Sequence, residues 1–163
     1  NCVNDIGVIF NYAQESYDRI SLFACSMGAY FSLLACADKQ LEQSLFLSPV
    51  TDMERIIRNM MQSFNISEER LKAEKEIPTP AGQSLYWDYF QYVISRPISV
   101  WHNPTFILYG SLDFLCEADT VKAFAEKFGC GLKVMENGEH FFHTEEQLAF
   151  FRNWLIDCLP SCQ

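Results

Sequence analysis

The sequence predicts an α/β fold, in which a mainly parallel sheet lies between two layers of helices. Three short apolar runs are typical of strands that are buried on both faces of a sheet, and a fourth short strand follows them. The stretches around them repeat apolar residues at helical spacing. Strands and helices alternate along the chain, which favours parallel pairing, and the right-handed crossover rule then makes a three-layer α/β/α sandwich the natural architecture. A chain of 163 residues is long enough to form one such domain.

The predicted strands and helices follow one another in a regular order. The strands are residues 20–25 (ISLFAC), 44–48 (SLFLS), 104–109 (PTFILY) and 131–135 (GLKVM). The helices are residues 3–17, 27–38, 117–128 and 144–158. Several boundaries carry their own signals: Pro49 stops the second strand, Gly129 follows the third helix, and Thr144 with Gln147 forms a capping box.

Residues 49–103 interrupt this alternation. Apolar residues from Met53 to Phe64 recur at helical spacing, with a capping box predicted at Thr51 and Glu54. A charged helix capped by Ser67 and an aromatic helical segment at 84–95 are predicted to follow. We therefore expect a single domain over residues 1–163, with 49–103 forming a helical lid inserted over the sheet.

Composition excludes several classes of protein. The net charge of −9 argues against nucleic-acid binding, which needs a basic surface. No apolar run is long enough to span a membrane, and the N-terminal stretch lacks the basic region of a signal peptide. It reads instead as sequence from within a domain.

The cysteines predict a reducing, cytoplasmic environment. Their number is odd and their spacing irregular, and several lie within apolar runs, which favours reduced, buried thiols over a disulfide framework. No paired Cys-x-x-Cys motifs indicate a zinc site, so we expect no metal. The seven are Cys2, Cys25, Cys36, Cys116, Cys130, Cys158 and Cys162.

Chemically active side chains follow three of the predicted strands. Ser26 comes after the first strand, Asp113 after the third and His140 after the fourth. The carboxyl ends of parallel strands meet at one edge of a sheet, where ligands bind. A serine hydroxyl needs a base to take its proton, histidine suits that task near neutral pH, and a buried carboxylate fixes the imidazole tautomer.

Serine, acid and histidine in that chain order resemble the α/β-hydrolase family. The segments that carry the resemblance are SLFACSMGAYFSLLA around Ser26, PTFILYGSLDFLCE around Asp113 and GEHFFHTEEQ around His140. The family motif is G-x-S-x-G, and this sequence has Ala24 at the first glycine position and Gly28 at the last. Alanine is small enough to clear the crowded turn.

The resemblance implies further features of the site and fold. It implies that the N–H of Met27 is one oxyanion donor, while the second donor would come from a loop after an early strand that this sequence does not contain. The front of the family fold is therefore expected to be absent. The sheet edge thus exposed could pair with another chain, so a homodimer is a candidate assembly. No cofactor is implied.

Each assignment has a simpler alternative. Ser26 could be an ordinary N-cap serine, and Asp113 could be an ordinary turn aspartate. Asp119 is the alternative acid, although it falls within a predicted helix, and His143 is the alternative base. Cys25, beside the serine, is interpreted as a small packed side chain.

The aromatic segment of the insertion has two interpretations. Tyr86, Trp87 and Phe90 could line a substrate pocket, or they could form the apolar core of the lid. The sequence does not decide between these two interpretations.

These observations together predict a serine hydrolase that cleaves an ester or related acyl bond of a small-molecule substrate through an acyl-enzyme. An acyltransferase or a peptidase on the same scaffold is the first alternative, because fold alone does not fix the acceptor or leaving group. A non-catalytic binding module is the second, although such a module has no need of all three triad residues.

Overall fold

The computed structural model describes residues 2–159, so Cys162 lies outside the described residues. The strands are β1 (Ser21–Cys25), β2 (Gln43–Leu47), β3 (Glu76–Pro78), β4 (Ser84–Tyr86), β5 (Thr105–Gly110) and β6 (Gly131–Met135). The helices are α1 (Cys2–Gln14), α2 (Met27–Ala35), α3 (Met53–Ser63), α4 (Glu68–Glu74), α5 (Trp87–Ile94), α6 (Ala118–Phe128) and α7 (Glu145–Cys158).

The main sheet has four parallel strands in the order β1-β2-β5-β6. Consecutive strands of this sheet are joined by helices, which confirms the predicted α/β class. Because all four strands run in one direction, the residues that follow β1, β5 and β6 all lie at the same edge of the sheet.

The core of the sheet is apolar on both faces. Leu45, Leu47, Leu108 and Met135 form a buried cluster with Trp154 of α7. On the opposite face, Phe46 contacts Trp101 with their ring centroids 6.0 Å apart. The central strands β2 and β5 thus carry continuous apolar sequence because helices or loops cover both of their sides.

The first strand differs from its prediction. Only Ala24 of β1 is buried, and Phe23 is 49% exposed, so the prediction of a strand buried on both faces is wrong here. It is also wrong for the other edge strand, β6, in which only Met135 is buried. Within residues 2–159, β1 has a strand neighbour on one side only. The apolar sequence indicates a strand, but it does not indicate the position of that strand in the sheet. The homodimer through this edge stays a prediction.

The described chain divides into two compact units, one of which comprises residues 52–99. This unit contains α3, α4 and α5, as the helical interpretation of 49–103 predicts, but also the antiparallel pair β3 and β4. Lys75, with φ of 68°, ends α4 and lets the chain turn into β3. The lid role of this unit stays a prediction.

Capping interactions fix the helix starts, with one correction. Asp52, and not Thr51, caps α3, and its side chain accepts a hydrogen bond from Arg55 N–H at 2.9 Å. Ser67 and Thr144 cap α4 and α7 as predicted. None of the helices within residues 2–159 has the length and apolar character needed to cross a membrane.

We expect Leu108→Ala to lower the free energy of unfolding by about 2–5 kcal/mol, because it leaves a cavity where a leucine is packed. Leu108 is fully buried in the central strand β5. Urea denaturation followed by circular dichroism measures the change. Ile156→Ala, on the exposed side of α7, is the matched control and should cost under about 0.5 kcal/mol. Equal losses in the two variants would contradict the proposed position of the core.

Candidate active site

Ser26 lies in a strained turn between β1 and α2. Its φ and ψ are 50° and −124°, a region that non-glycine residues adopt at a cost of about 1–3 kcal/mol. Hydrogen bonds from the end of β2 hold this backbone in place. Ser26 N–H donates to the Leu47 carbonyl at 3.0 Å, and Val50 N–H donates to the Ser26 carbonyl at 3.1 Å.

The side chain of Ser26 does not act as a helix cap. The residue occupies the N-cap position of α2 but makes no capping hydrogen bond. Its Oγ instead lies 2.9 Å from Nε2 of His140. This geometry disfavours the interpretation of Ser26 as an ordinary N-cap serine.

His140 joins Ser26 to Asp113. Its Nδ1 lies 2.7 Å from Oδ2 of Asp113, and both side chains are completely shielded from solvent. A carboxylate only accepts hydrogen bonds, so Nδ1 carries the proton. That leaves Nε2 as an acceptor for the Ser26 hydroxyl.

The second oxygen of Asp113 is also satisfied. Oδ1 accepts hydrogen bonds from Leu115 N–H at 2.9 Å and Cys116 N–H at 3.0 Å. Tyr109, at the end of β5, donates its hydroxyl to the Cys116 carbonyl at 2.7 Å and so closes the same turn. Burial, followed by the charge of Asp113, raises the pKa of Tyr109 to about 12.

The three side chains thus form one hydrogen-bonded chain. The proton of Ser26 Oγ points to an imidazole nitrogen that can take it, and a buried carboxylate lies behind the imidazole to stabilise the resulting cation. Chemically, the arrangement can activate a serine oxygen as a nucleophile.

No family model matches the chain, and none of the curated proteins matches it. Solved structures do. Est1E from Butyrivibrio proteoclasticus aligns with a TM-score of 0.74 at 18% identity, over 95% of this chain and 68% of its own. An α/β serine hydrolase homologue from Coxiella burnetii aligns with a TM-score of 0.60 at 20% identity, over 97% of this chain and 58% of its own. An esterase from Pyrococcus furiosus aligns with a TM-score of 0.62 at 17% identity, over 95% of this chain and 59% of its own.

The chain has the α/β-hydrolase fold. It spans 58–68% of the lengths of these three structures, so part of each of them has no counterpart here. Ser26, Asp113 and His140 follow β1, β5 and β6 of its four-stranded sheet.

The alternative acid and base lie away from this hydrogen-bonded chain. Asp119 is exposed in the first turn of α6. His143 is exposed, and its Nδ1 lies 2.8 Å from the Phe141 carbonyl and 3.2 Å from Oε2 of Glu139. Within residues 2–159, Ser26 Oγ pairs with His140, and the carboxylate that pairs with His140 is that of Asp113.

Two thiols lie near the acid. Cys25 is exposed, so its interpretation as a packed side chain is wrong. Partial desolvation of its thiol and the charge of Asp113 nevertheless raise its pKa. The same causes raise the pKa of the buried Cys116 to about 12. Asp113, Cys116 and His140 bring three potential metal ligands within 4.8 Å of one another. Asp113 and His140 are already engaged with each other through the 2.7 Å hydrogen bond between Oδ2 and Nδ1.

Met27 and the aromatic segment have different surroundings. Met27 begins α2, so its N–H has no intrahelical acceptor and is free to serve a ligand.

Tyr86 is 48% exposed, whereas Phe90 is completely buried within its unit, under Arg58 and beside Trp87. The burial of Phe90 favours packing over pocket lining for that residue. The pocket role of the other two stays a prediction.

Sequence reasoning missed the residues that hold the loops after β5 and β6 together. Gly110 and Gly138 lie in direct backbone contact, and the Ser111 hydroxyl accepts a hydrogen bond from Asn137 N–H at 2.8 Å. A glycine two or three residues before a histidine or an acid is a detectable signal. The mutual contact of the two glycines is not, because it joins residues 28 positions apart in the sequence.

We expect Cys25 to react slowly with iodoacetamide at neutral pH. The thiolate is the reactive form, and a raised pKa moves its formation to higher pH. The alkylation rate, followed by mass spectrometry, should therefore rise with pH through a midpoint above that of a model cysteine peptide. Steric hindrance alone would lower the plateau without moving the midpoint. A midpoint equal to or below that of the peptide would contradict the environment described for Cys25.

Proposed function

We propose that this chain is a serine hydrolase that cleaves an ester or a related acyl bond of a small molecule. In this proposal Ser26 is the nucleophile, His140 the general base and acid, and Asp113 the group that orients His140. The observation that carries the proposal is the buried hydrogen-bonded chain, with 2.9 Å between Ser26 Oγ and His140 Nε2 and 2.7 Å between His140 Nδ1 and Asp113 Oδ2.

The proposed reaction has two halves. Ser26 Oγ attacks the acyl carbon while its proton passes to His140 Nε2, and His140 then gives that proton to the departing alkoxide. Water attacks the resulting acyl-serine, again losing a proton to Nε2, and the acid leaves as Ser26 regains its hydrogen. Asp113 stabilises the imidazolium in each half without taking the proton.

The strained turn supports the nucleophilic role. It places Ser26 at the start of α2, where the helix N-terminus offers backbone N–H groups to developing negative charge. Met27 N–H is the proposed oxyanion donor on this side. Because the end of β2 fixes the Ser26 backbone through two hydrogen bonds, the turn needs no reorganisation during the reaction.

The surroundings of the triad favour an apolar acyl group. The Phe141 ring lies edge-on to His140 at 4.8 Å and is 62% exposed. Other exposed apolar side chains in the adjoining segments are Met27, Leu112, Phe114 and Leu115. Est1E has also been solved with ferulic acid bound. Ferulic acid is an aromatic carboxylic acid, and an aromatic acyl group is one kind of apolar acyl group.

A fluorophosphonate probe tests the nucleophile directly, because it phosphonylates only an activated serine. We expect covalent labelling of the wild-type chain, located to Ser26 by peptide mass spectrometry. Labelling should be lost in Ser26→Ala, and Asp113→Asn should slow it by about 10⁴-fold, since the imidazole tautomer is then wrong.

Ser16→Ala, at an exposed serine after α1, is the matched control and should label like the wild type. A folded wild-type chain that shows no labelling at Ser26 would refute the hydrolase proposal and favour a non-catalytic binding module.

A series of p-nitrophenyl esters tests the acyl preference. We expect kcat/KM to rise with each added methylene by up to about fourfold, the value expected for burying one methylene in an apolar site. Phe141→Ala should flatten this rise while leaving the acetate ester little changed. Rates that fall steadily beyond acetate would contradict an apolar acyl site.

A further inference from the structure

The loops that carry Asp113 and His140 meet at two glycines. A Cβ atom added to Gly110 would lie 2.4 Å from the Gly138 carbonyl oxygen and 2.7 Å from that of Glu139. One added to Gly138 would lie 3.0 Å from Cα of Gly110. Neither glycine has a positive φ, so close contact, rather than backbone conformation, requires glycine at both positions.

Hydrogen bonds join the same two loops. Ser111 N–H donates to the Met135 carbonyl at 3.0 Å, and Leu112 N–H donates to the Gly138 carbonyl at 2.8 Å. In return, Asn137 N–H donates to Ser111 Oγ at 2.8 Å. We call residues 110–112 and 135–138, joined in this way, the loop clasp.

The loop clasp lies next to the reacting pair. Asp113 directly follows Leu112, and His140 is two residues beyond Gly138. The contact between the two glycines and the 2.7 Å hydrogen bond between Asp113 and His140 therefore belong to the same pair of loops, only a few residues apart. Any separation of these loops at the glycines acts on that hydrogen bond.

The distances indicate how sensitive the pair is. Ordinary contact for a Cβ begins at about 3.4 Å, so an alanine at position 110 requires a separation of about 1 Å. If the Asp113–His140 distance of 2.7 Å grew by the same amount, it would exceed the limit of a hydrogen bond, about 3.2–3.5 Å. The imidazole would then lose the partner that fixes its tautomer.

We propose that Gly110, Ser111 and Gly138 are positioning residues that set the Asp113–His140 geometry without touching substrate. The inference rests on the proposed function, since it concerns the same triad. Ser111 is its most informative member. This residue is exposed, so removing its hydroxyl affects the loop clasp but little of the core.

The test compares Ser111→Ala and Gly110→Ala with the wild-type chain. We expect Ser111→Ala to lower kcat for p-nitrophenyl esters by about tenfold and Gly110→Ala by about 10² or more, as expected for a misplacement of about 1 Å. KM should change little, because neither Gly110 nor Ser111 is proposed to contact the substrate. Ser111→Thr keeps the accepting oxygen and should restore kcat.

Gly7→Ala is the matched control, because a Cβ at this helical glycine meets nothing within 4 Å. It should leave kcat unchanged. Urea unfolding of each variant identifies losses that are due to stability alone, and Ser111→Ala carries the test if Gly110→Ala does not fold.

A second readout does not depend on catalysis. The ¹⁵N shifts of His140 report how much of the imidazole carries its proton on Nδ1, and the downfield Nδ1 proton reports the hydrogen bond to Asp113. We expect that proton signal to weaken in Ser111→Ala and return in Ser111→Thr. Folded Ser111→Ala and Gly110→Ala with wild-type His140 spectra would overturn the inference. A wild-type chain whose Ser26 is unreactive but whose spectra respond to Ser111 would refute the proposed function alone.

Discussion

Parallel alignment of the strands is the constraint on which the rest of this structure depends. Ser26 and His140 are 114 residues apart in the sequence, yet their side chains lie 2.9 Å apart. They meet because β1, β5 and β6 run in the same direction and end at the same edge of the sheet. An antiparallel β6 would place His140 at the opposite edge, and no local adjustment of the loops could bring it back.

Strand β2 carries no proposed catalytic side chain, but it supports the site. Leu47, its last residue, accepts a hydrogen bond from Ser26 N–H, and Val50, in the loop after it, donates one to the Ser26 carbonyl. These bonds oppose the strain of a positive φ at a serine, about 1–3 kcal/mol. The buried strand β2 therefore stabilises the unfavourable backbone conformation of Ser26 in the turn after β1.

Much of the site could be predicted because its signals are local. A short strand followed by Ser26, by Asp113 or by His140 can be recognised within about ten residues of sequence, and the chain order of the three residues narrows the choice of fold. The exposed face of β1, the β3–β4 pair and the Asp52 cap were not predicted correctly. The first depends on which strands are neighbours, the second on a short pairing with weak sequence signals, and the third on a choice between two adjacent capping residues.

The sequence by itself determined the types and order of the main elements, and it indicated Ser26, Asp113 and His140 as the candidate catalytic residues. Only the tertiary structure decided that Ser26 Oγ contacts His140 instead of capping α2. It also decided that Asp113 accepts hydrogen bonds from two backbone N–H groups and that Gly110 lies against Gly138. The physical reason is the separation in sequence of the residues that interact. Helix and strand formation follow from neighbours along the chain, whereas these contacts depend on strand order and register, which bring together residues from distant parts of the sequence.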